Sequence, residues 1–265
     1  MSERSADRIG PWSQVRALSV RSMLAIVRQP SVVVPSLVFP LFFVALGTSS
    51  FSRAVAIPGF PAVDSFLDFA LAGSVVQGVL FGSITSATAL ATDIETGFFD
   101  RLLLAPSTRT GILIGRLAGA MAYGLAQTVF FVIVLIPFGL SVKSGPLGLA
   151  AMAVGGLLTA LAVGAVMSAM ALRTGSAEAV QGSFPLVFVL LFLSSAFFPR
   201  QTMDGAYRTI ADLNPLSYLV EGFRALTIGE LDATAVAQTI GVPAAIAAGG
   251  LALALRSLSA RVADR

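Results

Sequence analysis

The densest run of residues able to do chemistry is Asp93-Ile94-Glu95-Thr96-Gly97-Phe98-Phe99-Asp100-Arg101-Leu102-Leu103-Leu104-Ala105-Pro106. It opens on carboxylates, and a glycine then breaks the helix. A short helical knob follows, with apolar residues at i and i+4: Phe98 with Leu102, and Phe99 with Leu103. Pro106 ends it. An apolar knob on a charged loop is a surface for docking rather than for catalysis. Other polar groups lie in strongly apolar stretches. Gln77, Thr85 and Thr88 fall on one side of one helix, Gln127 lies on another, and Ser194 and Ser195 sit late in a third. Phe184, Phe188 and Phe192 form an i, i+4 aromatic row. Apolar walls with a few neutral hydrogen-bonding groups suit a lipid-like or amphipathic substrate better than a small ion. Gln77, Thr85, Thr88, Gln127, Phe188, Phe192 and Ser195 are therefore the candidate substrate path.

Several chemistries have no residues to carry them. Cysteine and histidine are absent, which removes thiolate nucleophiles, imidazole ligands and the commonest general base. A phosphate-cradling loop needs G-x-x-x-x-G-K-[ST]. The one lysine stands in Val142-Lys143-Ser144, without the preceding glycine. No catalytic residue and no metal site is assigned. Ion coupling usually needs ionisable groups inside spans, and only Asp68 lies in one. The net charge of +3 is too weak and scattered for a nucleic-acid partner.

The elements that must position these groups are membrane helices. The chain has 265 residues, 56% apolar and 12% charged, with a mean hydropathy of +0.87. Soluble domains carry about twice that charged fraction. The sequence predicts an all-α integral membrane protein with six spans, at about 32–50, 66–91, 117–140, 147–172, 180–198 and 234–255. Each is long enough to cross a hydrocarbon core of about 30 Å and must be helical there. Pro35, Pro40, Pro185 and Pro243 fall inside spans, where fixed bends are expected. With the N-terminus in the cytoplasm, twelve basic residues lie inside and five outside: Arg53, Lys143, Arg200, Arg208 and Arg224. That asymmetry places both termini in the cytoplasm of a multi-pass protein of the cell membrane. No cleavable leader is expected, because no apolar stretch lies near Met1. The segment from Pro11 to Pro30 gathers Trp12, Val15, Val20, Met23, Ile26 and Val27 on one face, with Gln14, Arg21 and Arg28 opposite. It predicts a helix lying along the cytoplasmic membrane surface. Small residues recur every fourth position at Ser74-Gly78-Gly82-Ser86, Gly111-Gly115-Gly119, Gly156-Ala160-Gly164-Ser168 and Gly241-Ala245-Gly249. Such rows allow close helix packing.

The D-x-E-x-G-x-x-D-R-L-L-x-x-P pattern from Asp93 to Pro106, followed by Gly115-Arg116, resembles the permease subunits of ABC-2-type exporters. The daunorubicin-resistance-type drug exporters are the nearest likeness. Ser194-Ser195-Ala196-Phe197-Phe198-Pro199, Asn214-Pro215-Leu216 and Glu221-Gly222-Phe223-Arg224-Ala225-Leu226 agree with it. The departure is Met203-Asp204, where the family often has methionine followed by proline. The resemblance implies residues 1–30 as a cytoplasmic N-terminus with an amphipathic connecting helix, and 31–265 as the transmembrane domain. It implies a coupling loop over 92–116 and an outer re-entrant helical hairpin over 199–233. Glu95, Gly97, Phe98, Arg101 and Leu102 would couple to an ATPase, together with Trp12, Arg21 and Arg28 on the connecting helix. Asn214, Pro215 and Arg224 would shape the outer hairpin. The implied partners are two copies of a separate ABC ATPase, a second permease subunit and membrane lipids. ATP and Mg would be bound by the ATPase, with no cofactor in this chain. The alternatives are an ion-coupled secondary transporter and a non-transporting membrane assembly protein.

Overall fold

A computed structural model describes residues 11–28, 30–51, 53, 55, 59–104 and 108–263. Within that range the side chains of residues 11–15, 25–27, 32 and 109 are not described, so the Trp12 side chain lies outside the described set. The described residues contain helices and turns but no strand. Five helices are long and apolar enough to cross a membrane: Val33–Ser50, Phe66–Glu95, Thr110–Phe138, Gly145–Thr174 and Ala233–Ala263.

Helix α1 (Pro11–Val27) begins on proline and lies along α5 (Arg109–Leu135). A Cβ on Gly119 would sit 2.5 Å from the Ser22 Cβ, so the bare glycine is what lets α1 approach. Helix α2 (Pro30–Ser50) runs through both Pro35 and Pro40 without a break. Helix α3 (Phe66–Glu95) packs on α2, on α5 and on α6 (Gly145–Thr174) and is buried along nearly its whole length. Its 30 residues span about 45 Å, longer than a hydrocarbon core of about 30 Å. Asp68 fixes its beginning, accepting from the Ser65 and Ser141 amides at 3.2 and 2.8 Å. Lys143 belongs to the same corner, pairing with Asp64 at 3.2 Å.

The fifth expected span, 180–198, is not one long helix. It consists of α7 (Ala177–Gly182) and α8 (Phe184–Phe192), followed by turns. Pro185 has no N–H to offer the Gln181 carbonyl. The chain turns at Ser183 instead, whose amide and hydroxyl both donate to the Val180 carbonyl. Two short helices come next, α9 (Gly205–Leu213) and α10 (Pro215–Ile228).

The final helical rod is α11 (Ala233–Val236), a π-turn over Ala237–Gly241, and α12 (Val242–Ala263). Pro243 cannot complete the regular ladder, and the π-turn precedes it. At that turn Thr239 donates to the Gly222 carbonyl at 2.7 Å. A Cβ on Gly222 would meet the Thr239 backbone at 2.9 Å, so α10 and the π-turn touch backbone to backbone.

One apolar cluster surrounds the first half of α3, with Leu71, Val75, Phe131, Phe223 and Leu226. A second surrounds its other end, with Leu90, Ile94, Phe99, Ile112, Leu172 and Leu258. The predicted row Gly241-Ala245-Gly249 faces away from the rest of the chain: a Cβ on Gly241 or Gly249 would meet none of the described residues within 4 Å. The packed face of α12 carries Pro243, Ala247, Gly250 and Ala254.

Candidate functional site

Three groupings hold the candidate residues. The first is the knob at the end of α3. Gly97 takes a positive φ of 70°, a conformation that costs glycine nothing. The chain reverses there and launches α4 (Phe98–Leu104). Phe99 is the anchor, 2% exposed in the second apolar cluster. Leu102 and Leu103 pack partly against the same cluster. Phe98 lies under the Arg21 guanidinium, 4.2 Å from it. The ridge expected to face outward, Phe98 with Leu102, is therefore half-buried against the chain's own helices. The outward face carries Arg101 and Leu104, one turn apart, and Leu104 is 87% exposed. Seven residues cannot expose an apolar ridge and anchor the helix with it at once.

Arg21 also reaches Asp93 at 3.7 Å, and Asp93 pairs with Arg116. One carboxylate thus joins α1, α3 and α5. Glu95 accepts from the Ala177 amide at 2.7 Å and so holds the start of α7. Arg28 is exposed just past α1. No sequence spacing links Arg21, Asp93 and Arg116, and only the fold assembles them.

The second grouping is a seam of phenylalanine rings between α2, α3 and α8. Phe184 stacks on Phe188 at 5.7 Å, and Phe188 meets Phe192 edge-on at 4.9 Å. Phe188 also contacts Phe39, Phe43 and Phe81. At the Phe192 end the seam opens into a cavity of about 160 Å³. Six rings line it: Phe43, Phe51, Phe66, Phe192, Phe197 and Phe198. Gln77 and Phe192 of the expected path line this cavity, and Phe188 is the next ring along. The other four lie elsewhere. Thr85 and Thr88 donate to the Phe81 and Ile84 carbonyls of their own helix. Gln127 is buried and donates to Ser36 at 3.4 Å. Ser195 is fully buried, and its amide and hydroxyl bond Ser217 of α10. The rings that α2 and the 193–198 turn contribute were missed, because aromatic periodicity on one helix does not name the helix facing it.

The third grouping is the α9–α10 pair. Asn214 caps α10 by accepting from the Leu216 amide at 2.9 Å and donates to the Leu190 carbonyl at 2.6 Å. Pro215 occupies the first turn of α10, where its missing N–H is harmless. Arg224 is 5% exposed. It donates to the Ser195 carbonyl at 2.7 Å and lies 3.8 Å from the Phe69 ring centroid. Burial lowers its pKa below the ordinary arginine value. Tyr207 donates to the Phe192 carbonyl at 2.7 Å. Arg200 pairs with Glu221 and with Asp212. Its hydrogen bond to Glu221 is the main reason its pKa is raised. Asp212 is held below the usual aspartate value, chiefly by its hydrogen bond from Arg208. At the departure noted in the sequence, Asp204 precedes α9 without capping it through its side chain.

The family model for ABC-2 type transporters matches residues 13–228, which contain all three groupings. The chain belongs to the ABC-2 type transporter family. It is 30% identical over 237 residues to the daunorubicin resistance ABC transporter permease protein DrrB1 of Streptomyces coeruleorubidus, covering 88% of this chain and 80% of the relative. It is 31% identical over 212 residues to the putative transport permease ycf38 of Porphyra purpurea, covering 80% and 72%. The ycf38 permease of Pyropia yezoensis is also 31% identical, over 221 residues. This permease is accordingly a multi-pass membrane subunit of a transporter.

Proposed function

We propose that the permease is the membrane subunit of an ATP-driven exporter for a hydrophobic or amphipathic substrate. It works with two separate ATPase subunits, which bind ATP and Mg, and with a second permease subunit, identical or homologous. The observation that carries this is the α4 knob. An exposed leucine on a short helix, anchored from behind by Phe99, is a surface made to be covered. The knob sits where α1, α3 and α5 meet through Asp93, so force applied there reaches three helices together.

In this arrangement the chain crosses the cell membrane six times with both termini in the cytoplasm. The α7–α8 segment with its following turns makes the fifth crossing, and α9–α10 forms the outer hairpin. The coupling set is Glu95, Gly97, Phe98, Arg101, Leu102, Trp12, Arg21 and Arg28, with Leu104 added. A hydrophobic drug is the favoured substrate class, supported by the likeness to the daunorubicin resistance permease of Streptomyces and by the aromatic seam. Asp68 has both carboxylate oxygens engaged by backbone amides, which favours ATP over an ion gradient as the driving force.

The test is reconstitution in liposomes. The purified permease alone should not hydrolyse ATP. With its ATPase subunit it should show ATP-dependent export and substrate-stimulated hydrolysis. Export driven by an ion gradient without ATPase would refute the proposal.

A further inference from the structure

The ends of α6 and α12 hold a group of cations that plays no part in the three groupings above. Arg173, in the last turn of α6, reaches across and donates through Nε to the Ser257 hydroxyl of α12 at 3.1 Å. Arg261, in the last turn of α12, reaches back and donates to the Leu172 carbonyl of α6 at 3.1 Å. Ser257 and Arg261 are one helical turn apart, and Arg256 is the residue before Ser257. Three arginines therefore share one short stretch of the α6–α12 seam. Arg173 and Arg256 are exposed. None of the three forms an ion pair among the described residues. Glu95, at the neighbouring end of α3, is spent on the Ala177 amide, and Glu178 is exposed on the first turn of α7. Like charges gathered without a counter-charge repel one another, and a bound anion would relieve them. The two terminal nitrogens of Arg173 have no acceptor among the described residues. A planar guanidinium matches the oxygens of a phosphate.

The same seam decides what carries the anion. Arginine is costly in hydrocarbon, so these side chains stand at headgroup level. Further along the seam the surface turns apolar. Val166, two turns before Arg173 on α6, is 42% exposed, and so is Leu253, one turn before Arg256 on α12. The two belong together: a Cβ on Gly250, one turn before Leu253, would sit 3.1 Å from the Val166 Cγ2. An anion carrying apolar chains uses both halves of this surface, whereas a free phosphate uses only the first. A second copy of the chain fits worse. Two copies facing the same way in a membrane meet about an axis along its normal, so this face would meet itself. Six arginines would then gather with no carboxylate to separate them.

We propose that an anionic phospholipid binds at the end of the α6–α12 seam, its phosphate held by Arg173 and Arg256 with Arg261 beside them, and its acyl chains lying along Val166 and Leu253. The binding is independent of the export proposal; only its assignment to the cytoplasmic leaflet rests on the topology proposed above.

The experiment titrates the full chain in detergent micelles with phosphatidylglycerol and with phosphatidylcholine of the same acyl chains, counting bound lipid by native mass spectrometry. Micelles have no leaflets, so failure to bind would refute the site alone, and reversed cysteine labelling in cells would refute the topology alone. The first phosphatidylglycerol should bind roughly ten- to thirtyfold more tightly than the first phosphatidylcholine, about fivefold for each arginine that meets the phosphate. Arg173→Gln and Arg256→Gln should each lower that preference about fivefold, and the double variant should remove it while melting in phosphatidylcholine stays normal. Arg53→Gln, which removes the same charge from an exposed position after α2, should leave the preference intact. Glycerol 3-phosphate, the same anion without chains, should not displace the lipid; displacement at matching concentration would make this a site for a soluble anion and overturn the inference. Leu253→Cys, the only cysteine in its chain, should form no disulfide-linked dimer in membranes; such a dimer would place a second copy on this face instead. Equal affinity for the two lipids in the natural chain would overturn the inference without any variant having to fold, as would a preference that survives the double substitution.

Discussion

Leu104→Ala separates docking from folding. The side chain is 87% exposed on α4, while Phe99 behind it is 2% exposed. Truncating Leu104 therefore removes almost nothing from the chain's own packing. If the ATPase covers it fully, the loss on docking is about 1.5–3 kcal/mol, the worth of burying one leucine side chain. That corresponds to a roughly 10- to 150-fold weaker association. Phe99→Ala makes the opposite control. It empties a position in the cluster of Leu90, Ile94 and Leu172, at a cost of about 3–5 kcal/mol to local stability. The assay is binding of the ATPase subunit to permease in nanodiscs, with melting of the permease alone measured in parallel. Leu104→Ala should leave melting unchanged and weaken binding. Phe99→Ala should lower the melting midpoint as well. Unchanged affinity for Leu104→Ala, with ATP-driven export intact in liposomes, would refute the assignment of this face to the ATPase.

Asp93→Asn should destabilise the permease by about 2 kcal/mol, less than a fully buried pair because Asp93 keeps some solvent contact. It leaves Arg116, with 12% of its side chain exposed, without its carboxylate; a lowered melting midpoint and faster proteolysis at α1 would register this. A cysteine at Asp204, which is exposed, should react with an impermeant thiol reagent from outside intact cells, and one at Leu104 only after permeabilisation; the natural chain has no cysteine to confuse the result. Ser144, otherwise an obvious outer probe, is 8% exposed and would label poorly. Asp212, whose pKa is depressed by Arg208 and Arg200, stabilises the α9–α10 pair at pH values above the ordinary aspartate range, and that contribution disappears as pH falls through its lowered folded pKa. The melting difference between the natural chain and Asp212→Asn should hold at neutral pH and vanish only below the usual carboxylate range.

Long apolar runs made five helices long enough to cross a membrane readable from sequence, because length and hydropathy are properties of one segment alone. The 180–198 segment is equally apolar, yet hydropathy is blind to the missing N–H of Pro185. Gly97 as a turn and the apolar knob after it were legible from local residue types. How much of the knob the chain itself covers was not, since Phe98 lies against Arg21 and Leu102 packs partly on the chain's own cluster. Thr85, Thr88 and Ser195 look like path residues in sequence because a hydroxyl does not announce its acceptor. In the fold all three are engaged with backbone. Four-residue spacing likewise marks a helix face without naming its neighbour, as Gly241 and Gly249 illustrate.

Helix α8 stops at Phe192, and the carbonyls around its end are met by groups far downstream. Asn214 serves Leu190, Tyr207 serves Phe192 and Arg224 serves Ser195. Synthesis adds a timetable to that wiring. When Phe192 leaves the ribosome, these donors are still held behind it in the exit tunnel and cannot reach their carbonyls. A carbonyl without a donor is poorly tolerated in hydrocarbon, so α8 should wait in a wetter setting, beside the insertion machinery, until Arg224 has emerged. A nascent chain stalled before that residue should keep α8 open to aqueous reagents, and one stalled well after it should not.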